Sequence, residues 1–145
     1  MSQSQLRLPY FDLSGDSFKH LLGMNQSLGE STLGVEMLEL VYLRVSQING
    51  CSYCLALHSK ALREREVAQV KLDTIAGWRL SPHFSEKERA ALAWAESVTD
   101  ISRTHAPDDV YLPLKEHFKD AEISDLTLAV ALMNAFNRIA VSMKR

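Results

Sequence analysis

The sequence predicts an all-α protein that folds as one domain, a compact bundle of six or seven helices. Only 6 Gly and 4 Pro occur among its 145 residues, and so few helix-breaking residues favour long helices over a many-turned β architecture. No segment of useful length alternates apolar with polar residues, as a strand would. A chain of this length falls in the usual range for one hydrophobic core, so we expect a single domain over residues 1–145.

The N-terminal region is expected to contain an arm and a short helix. Residues 1–13 include a proline and aromatic side chains, and we interpret them as the arm. Ser14 with Asp16 is the predicted cap of the following helix, because short polar side chains accept hydrogen bonds from the free N–H groups of a first turn. That helix carries the apolar residues Phe18, Leu21 and Leu22.

Two longer helices are predicted to meet at a tight turn. The first covers residues 34–48, after Ser31 or Thr32 as its cap, and it is apolar around most of its circumference. We therefore expect it to be central and covered on both sides. Asn49-Gly50 is a stop signal, and a new helical pattern runs from Cys51 to about Arg65.

The remaining chain predicts four more helices. They are a short one over 67–76 that ends at Gly77, one after the capping box of Ser85 and Glu88, one from Pro107 through Phe118, and a long one capped by Ser124 or Asp125 that ends near Met143.

Charge and hydropathy argue against two classes of partner. With 16 basic and 18 acidic residues the formal charge is -2, so nothing favours binding to nucleic acid or to an acidic membrane surface. The N-terminus has no basic-then-apolar leader, and the longest nearly apolar stretch, about 126–133, is short for a membrane span. We therefore expect a cytoplasmic protein with no nucleic-acid partner and no membrane.

The strongest chemical signal is the string Cys51-Ser-Tyr-Cys54-Leu-Ala-Leu-His58 at the start of a predicted helix. Spacings of three and four bring Cys51, Cys54 and His58 onto one helical face. A helix N-terminus and a nearby base both increase the fraction of reactive thiolate. A second thiol three residues away can condense with an oxidised first thiol to form a disulfide. The pattern indicates a thiol peroxidase or a dithiol oxidoreductase.

Glu39 is the candidate partner of this motif on the preceding helix, twelve residues before Cys51. If the turn at Asn49-Gly50 folds the two helices against each other, Glu39 approaches the face that carries His58. A carboxylate in an apolar environment can take and return protons near neutral pH. The alternative is that Glu39 points to solvent or pairs with Arg44, because glutamate is seldom buried without a partner.

Two other interpretations of the cysteines remain open from the residues alone. Cys51, Cys54 and His58 could hold zinc with Glu39 or water as the fourth ligand, although structural zinc sites usually draw ligand pairs from separate elements. The cysteines could also be small buried hydrophobic residues without chemistry. We favour the redox pair and expect no metal and no cofactor.

The sequence resembles the AhpD-like alkylhydroperoxidases of the carboxymuconolactone decarboxylase superfamily, which are all-helical. Their core motif is a Glu followed twelve residues later by C-x2-C-x3-H, which here falls on Glu39, Cys51, Cys54 and His58. Similar segments surround it: E-L-V-Y-L-R-V-S-Q-I-N-G-C before the active helix, F-S-E-K-E-R-A-A-L-A-W-A-E-S-V-T from Phe84, and N-A-F-N-R from Asn134. The resemblance covers roughly residues 34–143.

The resemblance implies a role for each motif residue. Cys54 would be the peroxidatic thiol and Cys51 the resolving thiol, while His58 and Glu39 would form a proton relay. In the best-known relatives a histidine precedes the second cysteine and joins the relay, whereas this chain has Tyr53. Because a phenol is a poor base near neutral pH, we expect weak peroxidase activity if Tyr53 takes that place.

The expected function is therefore thiol-dependent reduction of alkyl hydroperoxides in antioxidant defence. The alternatives are a lactone decarboxylase, a reaction of the same superfamily that needs no redox thiol, and a non-catalytic redox-sensing oligomer. The resemblance implies a dithiol electron donor, either a lipoyl-bearing or a thioredoxin-like protein. It also implies a homo-oligomer, for which we expect a hexamer built as a trimer of dimers, with the active-site helix near a subunit boundary.

Overall fold

The computed structural model describes residues 6–145, so the first five residues of the expected arm lie outside the described part. Those 140 residues contain helices and no β-strand, which confirms the all-α prediction. Six helices exceed one turn and three are single turns: α1 Tyr10–Leu13, α2 Gly15–Gly29, α3 Val35–Asn49, α4 Ser52–Glu64, α5 Gln69–Thr74, α6 Glu86–Thr99, α7 Ile101–Thr104, α8 Asp108–Tyr111 and α9 Asp120–Met143. Two 3-10 segments cover Ile75–Gly77 and Leu112–Glu116.

Helix α3 lies at the centre of the bundle and packs against α4, α6 and α9. On one side, apolar residues of α3, α6 and α9 form the larger core. On the other side, Leu40 and Leu43 pack against Leu62 of α4 and against Trp78 and Leu92. Burial on both sides explains the apolar circumference of α3.

Helix α9 is the longest element and the most apolar. Among the described helices, it is the one whose length and composition would allow it to cross a membrane, and 39% of its apolar window is buried within the molecule. That window is longer than the stretch estimated from the sequence. Helix α9 packs against α2, α3, α4 and α6, and these contacts bury many of its apolar side chains in the core.

Two predicted side-chain caps are not formed, although α2 and α3 begin at or within one residue of the expected positions, and α9 begins earlier than expected. Neither Ser14 nor the Ser31-Thr32 pair caps its helix through a side chain, and Gly34, at φ +84°, precedes α3. The expected arm contains the single turn α1. Helix α9 begins at Asp120, before Ser124 and Asp125, because the Glu122 carboxylate accepts a hydrogen bond from the Lys119 backbone N–H at 3.0 Å. That hydrogen bond satisfies a backbone N–H at the helix start, about one helical turn before the predicted caps.

Two other elements refine the sequence expectation. The capping box is confirmed, since Ser85 Oγ accepts from the Glu88 N–H at 3.1 Å and Glu88 Oε1 accepts from the Ser85 N–H at 2.9 Å. The helix expected from Pro107 through Phe118 is instead α8 followed by a 3-10 segment that contains Pro113. Proline has no N–H to donate, which limits a regular α-helix there.

Candidate active site

A tight turn places the cysteine motif at the N-terminus of α4. Gly50 adopts a left-handed conformation with φ +66°, which a residue without a side chain reaches at little cost. Cys51 then donates its N–H to Ser46 O at 3.1 Å, and its sulfur accepts a hydrogen bond from the Cys54 N–H at 3.3 Å. Cys51 is thus the N-cap of α4. The predicted stop at Asn49-Gly50 and the restart at Cys51 are both observed.

Cys51 and Cys54 are joined by a disulfide, with their Cα atoms 5.3 Å apart. Both residues are buried, at 1% and 4% exposed, and they pack with Ala140 of α9 in a small apolar cluster. The two sulfurs therefore lie within bonding distance of one another at the N-terminus of α4.

Glu39 and His58 form a second pair across the α3–α4 contact. Glu39 Oε2 lies 2.7 Å from His58 Nδ1, and their side chains are 17% and 8% exposed. Glu39 therefore neither points to solvent nor pairs with Arg44, whose Nε donates to Glu96 at 2.9 Å. With Nδ1 donating to the carboxylate, His58 Nε2 is left as the ring atom that can accept a proton.

Tyr42 covers the other side of His58. The two ring centroids are 5.3 Å apart, and Tyr42 is almost fully buried. Its hydroxyl finds no hydrogen-bond partner among the described residues. Burial and, second, the charge of Glu39 raise the pKa of Tyr42 above its ordinary value, so the phenol stays neutral beside the pair. Tyr42 therefore belongs to the core and borders the site.

A pocket of about 370 Å³ opens beside the motif, and Cys54 and His58 are both part of its wall. Cys51 is not among the lining residues. Most of the wall is apolar or aromatic and comes from α1, α2, α4 and α9: Tyr10, Phe11, Phe18, Leu22, Tyr53, Leu57, Met133, Phe136, Ile139 and Ala140. The pocket therefore gives a small molecule access to the Cys54 side of the disulfide.

Tyr53 lines the same pocket as His58, and its hydroxyl is bound by Arg145. It is 40% exposed, its hydroxyl accepts a hydrogen bond from Arg145 Nη2 at 3.1 Å, and the Arg145 guanidinium stacks 4.1 Å from its ring centroid. Among the described residues, Glu39 and His58 form their hydrogen-bonded pair without Tyr53, and a relay role of Tyr53 stays a prediction.

A partly buried amide network supports the turn from the side of α9. Asn49 Nδ2 donates to Asn134 Oδ1 at 2.9 Å and to Asn137 Oδ1 at 3.1 Å. Asn137 Nδ2 donates to Ser46 Oγ at 3.1 Å, and Arg138 Nη1 donates to Asn134 Oδ1 at 2.6 Å. No role for these α9 residues can be derived from the sequence alone, and the structure assigns them to anchoring the end of α3.

No group of three or more His, Cys, Asp and Glu side chains within residues 6–145 is arranged to hold a metal ion. The donors of the zinc alternative are distributed differently, as a cysteine pair and a histidine–glutamate pair.

Comparison with known proteins identifies the family. A model of the carboxymuconolactone decarboxylase family matches residues 15–97, more than half of the chain and the whole segment from Glu39 to His58. The chain belongs to the carboxymuconolactone decarboxylase family. Within that family its AhpD-like fold is shared with the solved structure of a protein of unknown function from Agrobacterium tumefaciens, which was suggested to be the antioxidant defence protein AhpD. The two chains are 37% identical with a TM-score of 0.92, over 96% of this chain and 95% of that one.

Two curated relatives extend the comparison of this family member. The uncharacterized protein YdfG of Bacillus subtilis is 28% identical over 137 residues, which cover 94% of this chain and 93% of that protein. Alkyl hydroperoxide reductase AhpD of Mycolicibacterium smegmatis is 42% identical over 57 residues, which cover 39% of this chain and 32% of the reductase. The similarity to a relative with a named activity is thus local, whereas the similarity to uncharacterized relatives extends over nearly the whole chain.

Proposed function

We propose that this protein is a thiol-dependent peroxidase that reduces alkyl hydroperoxides, with Cys54 as the attacking thiol and Cys51 as the resolving thiol. One observation carries the proposal: Cys54, disulfide-bonded to Cys51, shares a pocket wall with His58, which is hydrogen-bonded to Glu39. A redox pair, a proton-transfer pair and a substrate-sized pocket then lie at one place. Lactone decarboxylation, the reaction in the family name, would leave the disulfide without a use.

The proposed cycle begins with the reduced dithiol. His58 accepts the Cys54 proton, and the thiolate attacks the terminal oxygen of the hydroperoxide. The S–O bond forms as the O–O bond breaks, and the leaving alkoxide takes the proton back from His58 as an alcohol. Glu39 stabilises the imidazolium between these transfers. The products of this half are one alcohol and a sulfenic acid on Cys54.

The second half restores the disulfide and then the dithiol. The Cys51 thiol attacks the Cys54 sulfenic acid, so that the S–S bond forms and water leaves. An external dithiol then reduces the disulfide and is itself oxidised to a disulfide. We propose a lipoyl-bearing or thioredoxin-like protein as this donor, since both supply a dithiol.

The order of attack is tested with two matched substitutions. Cys54→Ser is expected to abolish the reduction of cumene hydroperoxide with dihydrolipoamide as the donor, because the attacking sulfur is lost. Cys51→Ser is expected to lose turnover but to accumulate sulfenic acid on Cys54, because the first step needs one thiol. Mass spectrometry after one equivalent of peroxide measures both species.

Ala56→Ser is the control, because it adds a hydroxyl to an exposed position of the same helix outside the pocket. It should keep the wild-type rate. Sulfenic acid that persists on Cys51 in the Cys54→Ser protein would reverse the two roles. Absence of thiol-dependent peroxide consumption by the wild-type protein would overturn the peroxidase proposal.

A further inference from the structure

The pocket beside Cys54 combines two chemically different regions. Its inner wall contains the rings of Phe18 and Phe136, which pack edge to face at a centroid distance of 6.0 Å, together with aliphatic side chains. Arg145 is the single arginine or lysine of the described lining, which includes no acidic side chain. The pocket therefore offers a large apolar surface and one positive charge.

Aromatic side chains hold that charge in place. Arg145 Nη1 donates to the Tyr10 hydroxyl at 3.3 Å and Nη2 donates to the Tyr53 hydroxyl at 3.1 Å. Its guanidinium also lies 4.1 Å from the Tyr53 ring centroid and 5.6 Å from that of Phe11. Within residues 6–145, these contacts include no acidic side chain. A guanidinium has five N–H donors, so donors and charge remain for an anion.

We propose that the pocket takes hydroperoxides that join an apolar body to a carboxylate, a class represented by fatty-acid hydroperoxides, and that Arg145 binds the carboxylate. The apolar chain then lies against Phe18 and Phe136 while the peroxide group reaches Cys54. The volume of about 370 Å³ falls in the range of about 300–1,000 Å³ typical of ligand pockets. This inference rests on the proposed peroxidase function and names its substrate class.

Charge complementarity at Arg145 is what separates this class from other apolar peroxides. Arginine matches a carboxylate with two parallel N–H donors, and such charge-assisted hydrogen bonds are stronger than neutral ones. An ester of the same fatty acid presents the same apolar surface without the charge. The acid and its methyl ester therefore test Arg145 with the apolar contacts held constant.

The first measurement is the ratio of kcat/KM for linoleic acid hydroperoxide to that for its methyl ester. The wild-type protein is expected to favour the acid by about tenfold or more. Arg145→Gln should bring the ratio close to equality, and Arg145→Lys should restore part of it. Arg63→Gln removes one charge from an exposed position near the end of α4 and should keep the wild-type ratio.

Equal kcat/KM values for acid and ester in the wild-type protein would overturn the inference, as would a ratio that Arg145→Gln leaves high. The second measurement needs no catalysis: calorimetry with linoleate, which carries no peroxide. Binding that weakens about tenfold or more in Arg145→Gln supports the inference even if no peroxide is reduced, in which case the proposed function alone fails. Reduction of tert-butyl hydroperoxide without any binding of linoleate would instead overturn the inference alone.

Discussion

At the residue scale, the hydrogen bond between Glu39 and His58 depends on Arg44 being paired with another carboxylate. Glu39 lies on the same helix, but Arg44 donates to Glu96 of α6, which also accepts from Trp78 Nε1 at 2.8 Å and from Arg79 Nη1 at 2.7 Å. Burial opposes the ionisation of Glu96, but these donors prevail and hold the pKa of Glu96 below its ordinary value. An ionised Glu96 binds Arg44 and leaves Glu39 available to His58.

Glu39→Gln tests whether the Glu39 carboxylate assists His58 in proton transfer. The amide keeps the size of the side chain and loses its charge, so it can no longer stabilise a protonated His58. We expect kcat/KM for cumene hydroperoxide to fall by about a hundredfold or more, the usual scale for general acid–base catalysis. The variant should remain folded and keep a cooperative thermal unfolding transition. Steady-state kinetics and circular dichroism measure the two quantities.

The matched control is Glu36→Gln, an exposed glutamate in the first turn of the same helix. It should keep the wild-type rate. If Glu39→Gln stays within about twofold of the wild type, Glu39 has a structural role and His58 acts without it.

At the element scale, local patterns predicted most helices, whereas contacts across the sequence set several boundaries. The capping box of Ser85 and Glu88 could be read from four residues because both partners lie within one turn. The start of α9 could not be predicted in this way, because several polar residues near it could each cap a helix. In the structure, the Glu122 carboxylate makes the capping hydrogen bond. Glu122 also accepts a hydrogen bond from Thr32, which is 90 residues away in the sequence.

The amide network shows how α9 holds the turn that carries Cys51. Asn137 is fully buried and joins Asn49 to Ser46, the residue whose carbonyl accepts the Cys51 N–H. These contacts span about 90 residues of sequence, so the segment N-A-F-N-R could be recognised from resemblance but its role could not be derived. A buried polar network fixes one arrangement of its elements because each unsatisfied member is costly.

Asn137→Ala is expected to lower the free energy of unfolding by about 1–3 kcal/mol, because it leaves the buried Ser46 hydroxyl without the Asn137 donor and removes one of the two acceptors of the Asn49 amide. Urea denaturation of the oxidised protein measures the loss. Gln26→Ala is the control, since Gln26 is an exposed polar residue of α2 and its loss should cost no more than about 0.5 kcal/mol. An equal, small effect in both variants would show that the network does not stabilise the turn.

At the scale of the whole molecule, the two ends of the described chain meet beside the site. The Arg7 N–H donates to Met143 O at 2.8 Å, and Arg145 contacts Tyr10 across a separation of 135 residues. A contact over such a separation leaves no local pattern in the sequence. The sequence therefore indicated the Glu39–His58 pair but neither Arg145 nor the aromatic wall of the pocket. The paired helices that carry Glu39 and His58 are consecutive, so one turn was enough to bring those residues together.

Apolar side chains remain exposed around the same pocket. Leu22 of α2 and Leu57 of α4 are each about half exposed, at 51% and 49%, and Phe11 lies beside them in the lining. On α9, Leu128 and Val141 are also exposed on the side that faces away from the core. Apolar surface that the chain leaves uncovered next to a functional pocket is typical of a contact between subunits.

We therefore expect a homo-oligomer, a hexamer built as a trimer of dimers, in which a neighbouring subunit covers part of the pocket rim and helps to exclude water from Cys54. Light scattering at micromolar concentration measures the mass, for which the chain contributes 16.3 kDa per subunit.

Leu57→Glu should weaken the assembly, because a charge on the rim would be buried by a neighbour. Leu80→Glu is the control, since Leu80 is almost fully exposed and does not line the pocket. A wild-type protein that stays monomeric would exclude both the assembly and the shared rim, whereas an oligomer that tolerates Leu57→Glu would move the interface away from the pocket.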